Sequence, residues 1–163
     1  MRVGIVMGSK SDLPVVSKIG GVLDELGVAW EMRILSAHRT PAQAEEWART
    51  AQERGIGVLI CCAGMAAHLG GVVAAHSALP VIGVPINASL GGMDALLSIV
   101  QMPPGVPVGT VGIGSAGAKN AAWLAVRILA LSDAELAARL VAARAAMTAK
   151  VLNDDAELQQ QLG

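Results

Sequence analysis

The sequence predicts an α/β protein with three layers, in which an open parallel β-sheet is covered by helices on both faces. Short apolar segments alternate with longer helix-like segments along the 163 residues. Apolar residues make up 53% of the chain, and no Asp, Glu, Lys or Arg occurs in residues 55–93. Glycine, proline and asparagine interrupt that stretch, so it suits buried parallel strands better than a membrane helix of about 20 apolar residues.

Five apolar runs are predicted to be strands, and six other segments are predicted to be helices. The strands cover residues 2–7, 28–35, 57–62, 80–84 and 106–113. The helices cover residues 11–26, 41–54, 66–76, 94–101, 116–131 and 134–152.

Turn and cap residues set the ends of these elements. The second helix begins at Pro41 and ends before Gly55, which are favoured positions for proline and glycine. Ser132 is predicted to cap the last helix, with Glu135 three residues later. Residues 153–163 are polar, and we expect a loose tail or an arm that docks on a partner. Without a repeat or linker, the whole chain is expected to form a single domain.

Charge and cysteine content limit the possible functions. The net charge is −1 and no long basic run occurs, so we expect no nucleic-acid partner. Cys61 and Cys62 are adjacent, and neighbours on a strand point to opposite faces, so a shared metal is not expected. Free thiols and the lack of a signal peptide indicate a cytoplasmic protein. The apolar surface exceeds what one small domain buries, so we expect a homo-oligomer.

The loop after the first strand combines glycine with two hydroxyls and a carboxylate. Ser9 and Ser11 precede a helix start, where free amides and the helix dipole favour an anion. Asp12 can accept a hydrogen bond from a sugar hydroxyl. The alternative is an ordinary helix cap formed by Ser11 or Asp12.

The loop after the second strand places a histidine beside an arginine. Ligands of open α/β sheets lie beyond the carboxyl ends of the strands, where Ser36, His38 and Arg39 occur. The planar guanidinium of Arg39 suits a phosphate, and His38 can act as acid and base near neutral pH. The alternative is a surface pair that only solvates the turn.

The loop after the third strand is rich in small residues, which let a substrate approach the backbone closely. His68 lies near the start of the next helix, and the alternative for it is a packed, neutral histidine. His76 is interpreted as a histidine on the face of that helix, and Asp94 as a helix cap. The three loops together predict an enzyme that acts on a phosphorylated small molecule with a histidine acid/base.

Seven sequence motifs, spread over most of the chain, carry a more specific resemblance. They are MGSKSD at 7–12, SAHRTP at 36–41, AAHL at 66–69, PVIGVP at 80–85, SIVQMP at 98–103, GVPV at 105–108 and GAKNAA at 117–122. Together they closely resemble the PurE family. The resemblance implies a flavodoxin-like fold, an octamer, and catalysis without a cofactor or metal. The family motif GGAAHLPG reads GMAAHLGG here, so Met65 and Gly70 depart from it.

The PurE family has two branches. One moves the carboxylate of N5-carboxyaminoimidazole ribonucleotide from nitrogen to carbon, and the other carboxylates aminoimidazole ribonucleotide directly with CO2. Arg39 and His68 resemble the first branch, because direct carboxylases usually have lysine after the histidine and a different AAHL loop. Direct carboxylation is the alternative activity, and a non-catalytic nucleotide-binding module is the alternative of another class.

The resemblance also implies roles for individual residues. His38 is the expected acid/base, which protonates the carbamate nitrogen and, after carbon four attacks the trapped CO2, removes the proton from that carbon. Asp12 is expected to bind the ribose, and Arg39 the phosphate. The full set of expected nucleotide contacts is Ser9, Asp12, Arg39, Ser11, Ser36 and His68.

Overall fold

A computed structural model describes residues 1–162 and contains a five-stranded parallel sheet. The strands are β1 (Arg2–Met7), β2 (Trp30–Ile34), β3 (Ile56–Gly64), β4 (Val81–Ile86) and β5 (Gly109–Thr110). Their spatial order is β2-β1-β3-β4-β5, the order of flavodoxin-like folds. The predicted three-layer α/β/α fold is therefore confirmed. The order of the strands reverses between β1 and β3, which is where such folds bind ligands.

Six α-helices cover the two faces of the sheet within residues 1–162. They are α1 (Leu13–Glu25), α2 (Pro41–Arg49), α3 (Leu69–His76), α4 (Met93–Val100), α5 (Gly114–Ala130) and α6 (Ala134–Leu162). Helices α1 and α5 pack on one face, where the start of α6 packs against α5, and α2, α3 and α4 pack on the other face. None of these helices is long and apolar enough to cross a membrane.

The central strands are apolar on both sides because both faces of the sheet are covered. Along β3, Ile60 and Cys62 belong to the core beneath α1 and α5, whereas Leu59 and Cys61 belong to the core beneath α2 and α3. This alternation confirms that the two cysteines point to opposite faces. Both are buried, and burial raises the pKa of each thiol well above its ordinary value.

The starts and ends of the first five helices differ from the sequence prediction by at most five residues. The first helix is preceded by a 3₁₀ turn (Lys10–Asp12), and the second gives way to another (Gln52–Arg54) before Gly55, at φ 75°. The third begins at Leu69 instead of residue 66, which leaves His68 at its N-cap position. The later starts of the first and third helices lengthen the loops that follow β1 and β3.

The fifth strand is much shorter than predicted. Only Gly109–Thr110 pair with β4, and one further hydrogen bond runs from the Val111 amide to the Gly83 carbonyl at 3.1 Å. Pro107 has no amide to donate, and Gly112 follows the strand closely. Proline and glycine on either side shorten the run of residues that can hydrogen-bond to the neighbouring strand.

The last helix is longer than predicted and has a different cap. Helix α6 runs to Leu162, so the expected end at residue 152 and the loose tail beyond it are wrong. Residues 153–162 contain no proline or glycine, and Lys150 pairs with Asp154 at 2.7 Å, one helical turn away. Asp133, not Ser132, caps the helix by accepting the Leu136 amide at 2.9 Å. The docking role of this segment stays a prediction, and Gly163 lies outside the described residues.

Candidate active site

The loops after β1, β2 and β3 meet at the carboxyl edge of the sheet and enclose a pocket of about 480 Å³. All seven residues singled out in the sequence line this pocket: Ser9, Ser11, Asp12, Ser36, His38, Arg39 and His68. The structure thus brings together side chains from three separate loops. Their roles toward a substrate stay predictions at this point.

The first loop is organised by Ser9. Its Oγ accepts the Ser11 amide at 3.3 Å and lies 2.8 Å from the Ser11 Oγ, while its carbonyl accepts the Asp12 amide at 3.2 Å. Ser9 therefore caps the 3₁₀ turn, whereas Asp12 occupies the N-cap position of α1 without a capping hydrogen bond from its side chain. Two amides expected to be free for an anion are already bonded within the loop. What the loop offers a ligand is mainly its hydroxyls and one carboxylate.

Asp12 is the acidic side chain of the pocket. Burial raises the pKa of its carboxyl group above the ordinary value, while the Ser11 hydroxyl, the Ser9 backbone and the charge of Arg39 oppose that rise. The Ser11 Oγ lies 3.3 Å from Asp12 Oδ1. A carboxylate that is partly desolvated gains when a ligand hydroxyl donates to it, which suits the predicted contact with a ribose.

The second loop is a tight turn closed by Thr40. Its Oγ1 accepts the Ser36 amide at 2.8 Å and lies 3.1 Å from the Ser36 carbonyl oxygen, to which it can donate. The Ser36 Oγ accepts the Arg39 amide at 3.2 Å. Arg39 Nη2 donates to the Gly8 carbonyl at 2.8 Å, which joins the second loop to the first. The guanidinium is thereby held at the pocket wall, with further N–H groups free to face an anion.

The third loop brings His68 against His38. His38 Nε2 lies 3.0 Å from His68 Nδ1, and the two rings meet edge to face with centroids 5.1 Å apart. Since a hydrogen bond between two ring nitrogens needs one proton on one of them, the tautomer of one histidine sets that of the other. Both rings are solvent-exposed at the pocket, so the pair can exchange a proton with a bound ligand.

The floor of the pocket depends on a close approach of two strand ends. A Cβ at Gly64 would lie 3.1 Å from the Ala88 Cβ and 3.2 Å from the Ile86 carbonyl oxygen, so a larger residue fits only if these neighbours shift by a few tenths of an ångström. Ala88, in the loop after β4, lines the pocket and was missed by the sequence analysis, because an alanine carries no chemical signal. Met65, which follows Gly64, also lines the pocket and has a positive φ of 58°.

Two residues that the sequence analysis interpreted as structural lie outside the pocket. His76 lies on α3 with its Nδ1 3.8 Å from Glu45 Oε1, which agrees with its interpretation as a helix-face histidine. Asp94 does not cap α4: Gly92 occupies the N-cap position, and Asp94 Oδ1 is buried without a hydrogen-bond partner. Among residues 1–162, no three His, Cys, Asp or Glu side chains converge on a metal-sized site.

Comparison with known proteins agrees with this geometry. The AIR carboxylase family model matches residues 2–150. The N5-carboxyaminoimidazole ribonucleotide mutase of Pyrococcus abyssi is 58% identical over 140 residues, which cover 85% of this chain and 79% of that protein. The mutase of the same name from Mycobacterium tuberculosis is 52% identical over 163 residues, covering 99% of this chain and 92% of that one.

A solved structure shows the same fold. The crystal structure of Treponema denticola PurE superposes with a TM-score of 0.84 at 31% identity, covering 96% of this chain and 97% of that one. The match to the family model extends from the first strand into the last helix, and it includes every loop of the pocket. This chain therefore belongs to the AIR carboxylase family, the family of the PurE proteins.

Proposed function

We propose that this chain converts N5-carboxyaminoimidazole ribonucleotide into 4-carboxy-5-aminoimidazole ribonucleotide, a step of de novo purine synthesis. One observation carries the proposal: His38 and His68 form a hydrogen-bonded pair in a pocket that also contains Arg39. The pairing of an acid/base with a phosphate-binding cation is what a proton-dependent rearrangement of a nucleotide needs. The names of the Pyrococcus abyssi and Mycobacterium tuberculosis relatives, each more than half identical to this chain, support the same activity.

The substrate is held by groups on the rim of the pocket. Arg39 and the hydroxyls of Ser9 and Ser11 bind the phosphate, and Asp12 accepts a hydrogen bond from the ribose. The Ser36 hydroxyl accepts a hydrogen bond from the Arg39 amide, and Ser36 lines the pocket within reach of the ligand. This arrangement places the imidazole ring of the nucleotide near His38. The binding energy of the phosphate and ribose contacts then holds the ring in the orientation that the reaction needs.

The reaction needs two proton transfers and no net proton. His38 protonates the carbamate nitrogen, the bond between nitrogen and the carboxyl carbon breaks with its electron pair on nitrogen, and CO2 is released into the pocket. Carbon four of the imidazole then attacks CO2 with its own electron pair. His38 removes the proton from carbon four, which restores the aromatic ring and the initial state of the enzyme. His68, 3.0 Å away, orients His38 and sets which nitrogen carries the proton.

The remaining expectations for the protein are part of the same proposal. The chain acts in the cytoplasm as a homo-oligomer, in line with an octamer, and needs neither metal nor nucleotide cofactor. Exposed apolar residues on α4 support assembly, because Met93, Leu97 and Val100 are each about half exposed at helical spacing. Light scattering at micromolar concentration tests this expectation, and a monomer would contradict it.

Product analysis with each candidate substrate tests the activity. Purified protein is incubated with the carbamate nucleotide in buffer stripped of bicarbonate, and separately with aminoimidazole ribonucleotide plus bicarbonate. We expect the carbon-four carboxylated product in the first incubation, without added metal or ATP, and His38→Asn serves as the inactive control. Product in the second incubation alone would establish direct carboxylation instead. Binding of the nucleotide with no product in either would indicate a binding module.

A further inference from the structure

Thr40 stands at the start of a helix but does not cap it. It occupies the N-cap position of α2, where a threonine hydroxyl ordinarily accepts an amide of the first helical turn. Its side chain makes no such hydrogen bond. The hydroxyl is turned back to Ser36 instead, where it accepts the amide at 2.8 Å and lies 3.1 Å from the carbonyl oxygen. It therefore stabilises the turn before the helix at the expense of the helix start.

The turn between Ser36 and Thr40 carries the two chemically active side chains of the second loop, His38 and Arg39. The Thr40 amide also donates to the Ser36 carbonyl, at 2.9 Å, so both backbone polar groups of Ser36 are bonded to Thr40. The Ser36 hydroxyl in turn accepts the Arg39 amide at 3.2 Å. Thr40 itself does not line the pocket, so its effect on a substrate must pass through the residues of the turn.

His38 and Arg39 differ in how far they depend on this turn. Arg39 has a second anchor, because its guanidinium donates to the Gly8 carbonyl of the first loop at 2.8 Å. The ring of His38 is exposed, and within the described chain its one hydrogen-bond partner is His68, an exposed ring on another loop. A side chain that is not held by packing takes its position from its backbone. The Thr40 hydroxyl should therefore matter more to His38 than to Arg39.

We propose that Thr40 is a positioning residue, whose hydroxyl fixes the turn that sets His38 against His68. The proposal rests on the proposed function, because it names the residue that keeps the acid/base at the reacting ring. Thr40 takes no part in proton transfer and makes no contact with the substrate. Misplacing a reacting group by about 1 Å can slow a reaction by about a hundredfold, so the loss of one hydroxyl outside the pocket can reach the chemical step.

Single-turnover conversion of the carbamate nucleotide tests the proposal. Thr40→Val removes the hydroxyl but keeps the branched shape, and the folded variant should be about 10- to 100-fold slower than wild type. Its affinity for the nucleotide should change by less than about threefold, because Arg39 keeps its bond to Gly8. Thr40→Ser restores a hydroxyl at the same place and should recover a rate within about threefold of wild type.

Thr50→Val is the matched control at the other end of α2. The Thr50 hydroxyl donates to the Glu46 carbonyl at 2.7 Å, and Thr50 lies outside the pocket. The same loss of a hydroxyl there should leave the single-turnover rate of the folded protein unchanged, whatever its effect on the melting temperature. An equal loss of rate in Thr50→Val and Thr40→Val would overturn the proposal, because any weakening of α2 would then slow the reaction.

The ring nitrogens of the histidines provide a second measurement, which needs no substrate. The chain has three histidines, and His76, which lies outside the pocket, serves as the internal reference. In wild type, ¹⁵N chemical shifts should show one protonated and one unprotonated nitrogen where His38 Nε2 faces His68 Nδ1. In Thr40→Val these shifts should move toward the averaged values of freely exchanging tautomers, while those of His76 stay unchanged. Thr40→Ser should return them to the wild-type values.

The outcomes separate positioning from folding and from the proposed function. A wild-type rate in folded Thr40→Val, unchanged histidine shifts in that variant, or failure of Thr40→Ser to restore both would each overturn the proposal. If Thr40→Val does not fold, Thr40→Ala takes its place with the same expectations, and failure of both to fold would make Thr40 a structural residue instead. Absence of product with wild type would refute the proposed function and leave the histidine shifts to decide the role of Thr40.

Discussion

The interior of the sheet and the rim of the pocket differ in almost every property. No polar or charged residue is fully buried in the described chain, and the core strands are joined by backbone hydrogen bonds and packed through apolar side chains. The rim is polar, and its loops are joined by side-chain hydrogen bonds, such as the one that Arg39 donates to the Gly8 carbonyl and the one between His38 and His68. The residues that stabilise the fold and the residues that could act on a substrate therefore form two separate sets. Substitutions in one set should therefore leave the other largely intact.

Replacing His38 should have the largest effect. His38→Asn keeps a polar side chain but cannot carry a proton, and we expect turnover to fall by roughly 10³- to 10⁴-fold, the upper range for a lost acid/base. Nucleotide affinity and melting temperature should change little, because His38 is exposed at the rim. Single-turnover rates provide the measurement. More than about a tenth of the wild-type rate would mean that another group, first of all His68, moves the proton.

Replacing a core residue should have the opposite result. Ile60 is 0% exposed in the central strand β3, and Ile60→Ala should lower the free energy of unfolding by about 3 kcal/mol. Denaturant unfolding measures this change. At a temperature where the variant is folded, the rate of conversion should stay close to wild type. A large loss of rate in fully folded Ile60→Ala would show that core and rim are coupled.

Replacing Arg39 should mainly weaken binding. Charge-assisted hydrogen bonds to a phosphate contribute about 1.5–3 kcal/mol, so Arg39→Ala should bind the nucleotide roughly 10- to 100-fold more weakly. Arg39→Lys keeps the charge but not the planar fork, and should recover only part of the affinity. Calorimetric titration distinguishes the variants. Unchanged affinity in Arg39→Ala would place the phosphate elsewhere in the pocket.

Replacing Asp12 should have the smallest effect on stability, and the size of that effect depends on pH. The pKa of Asp12 is raised by burial, so the folded state binds the proton more tightly than the unfolded state. Its charged form therefore lowers stability above the folded pKa, and this loss disappears below the unfolded pKa of about 4. Asp12→Asn should be slightly more stable than wild type at neutral pH and equal to it in acid, while it binds nucleotide less well. Unfolding curves at the two pH values check the sign.

Most of the fold could be predicted because it follows from periodic apolar patterns. Strand β1 matches its prediction at both ends, since a short apolar run that stops at Gly8 leaves few alternatives. The extension of α6 could not be predicted from polarity, because a polar segment is equally typical of a tail and of an exposed helix. The cap at Ser9 depends on a 3₁₀ turn, which has no clear sequence pattern.

The polar members of the site could be predicted, but its walls could not. His38, Arg39 and Asp12 stand out because their side chains carry chemistry and follow strands. The contact between His38 and His68 requires two loops to pack at a specific distance, which no local pattern encodes. The position of Ala88 beside Gly64 and the left-handed backbone of Met65 are likewise properties of the folded loops that no local pattern encodes.

The two buried cysteines have a practical consequence for spectroscopy. Because burial raises their pKa and excludes reagents, neither thiol should react with maleimide while the protein is folded. The wild-type chain should therefore take up no thiol-reactive label, so a label can be directed to one introduced cysteine. A single thiol introduced by Gln160→Cys, on the exposed outer turn of α6, would be the one reactive group. Spin labels attached there would test the proposed assembly, because distances between copies of the helix can be measured only if copies of the chain associate.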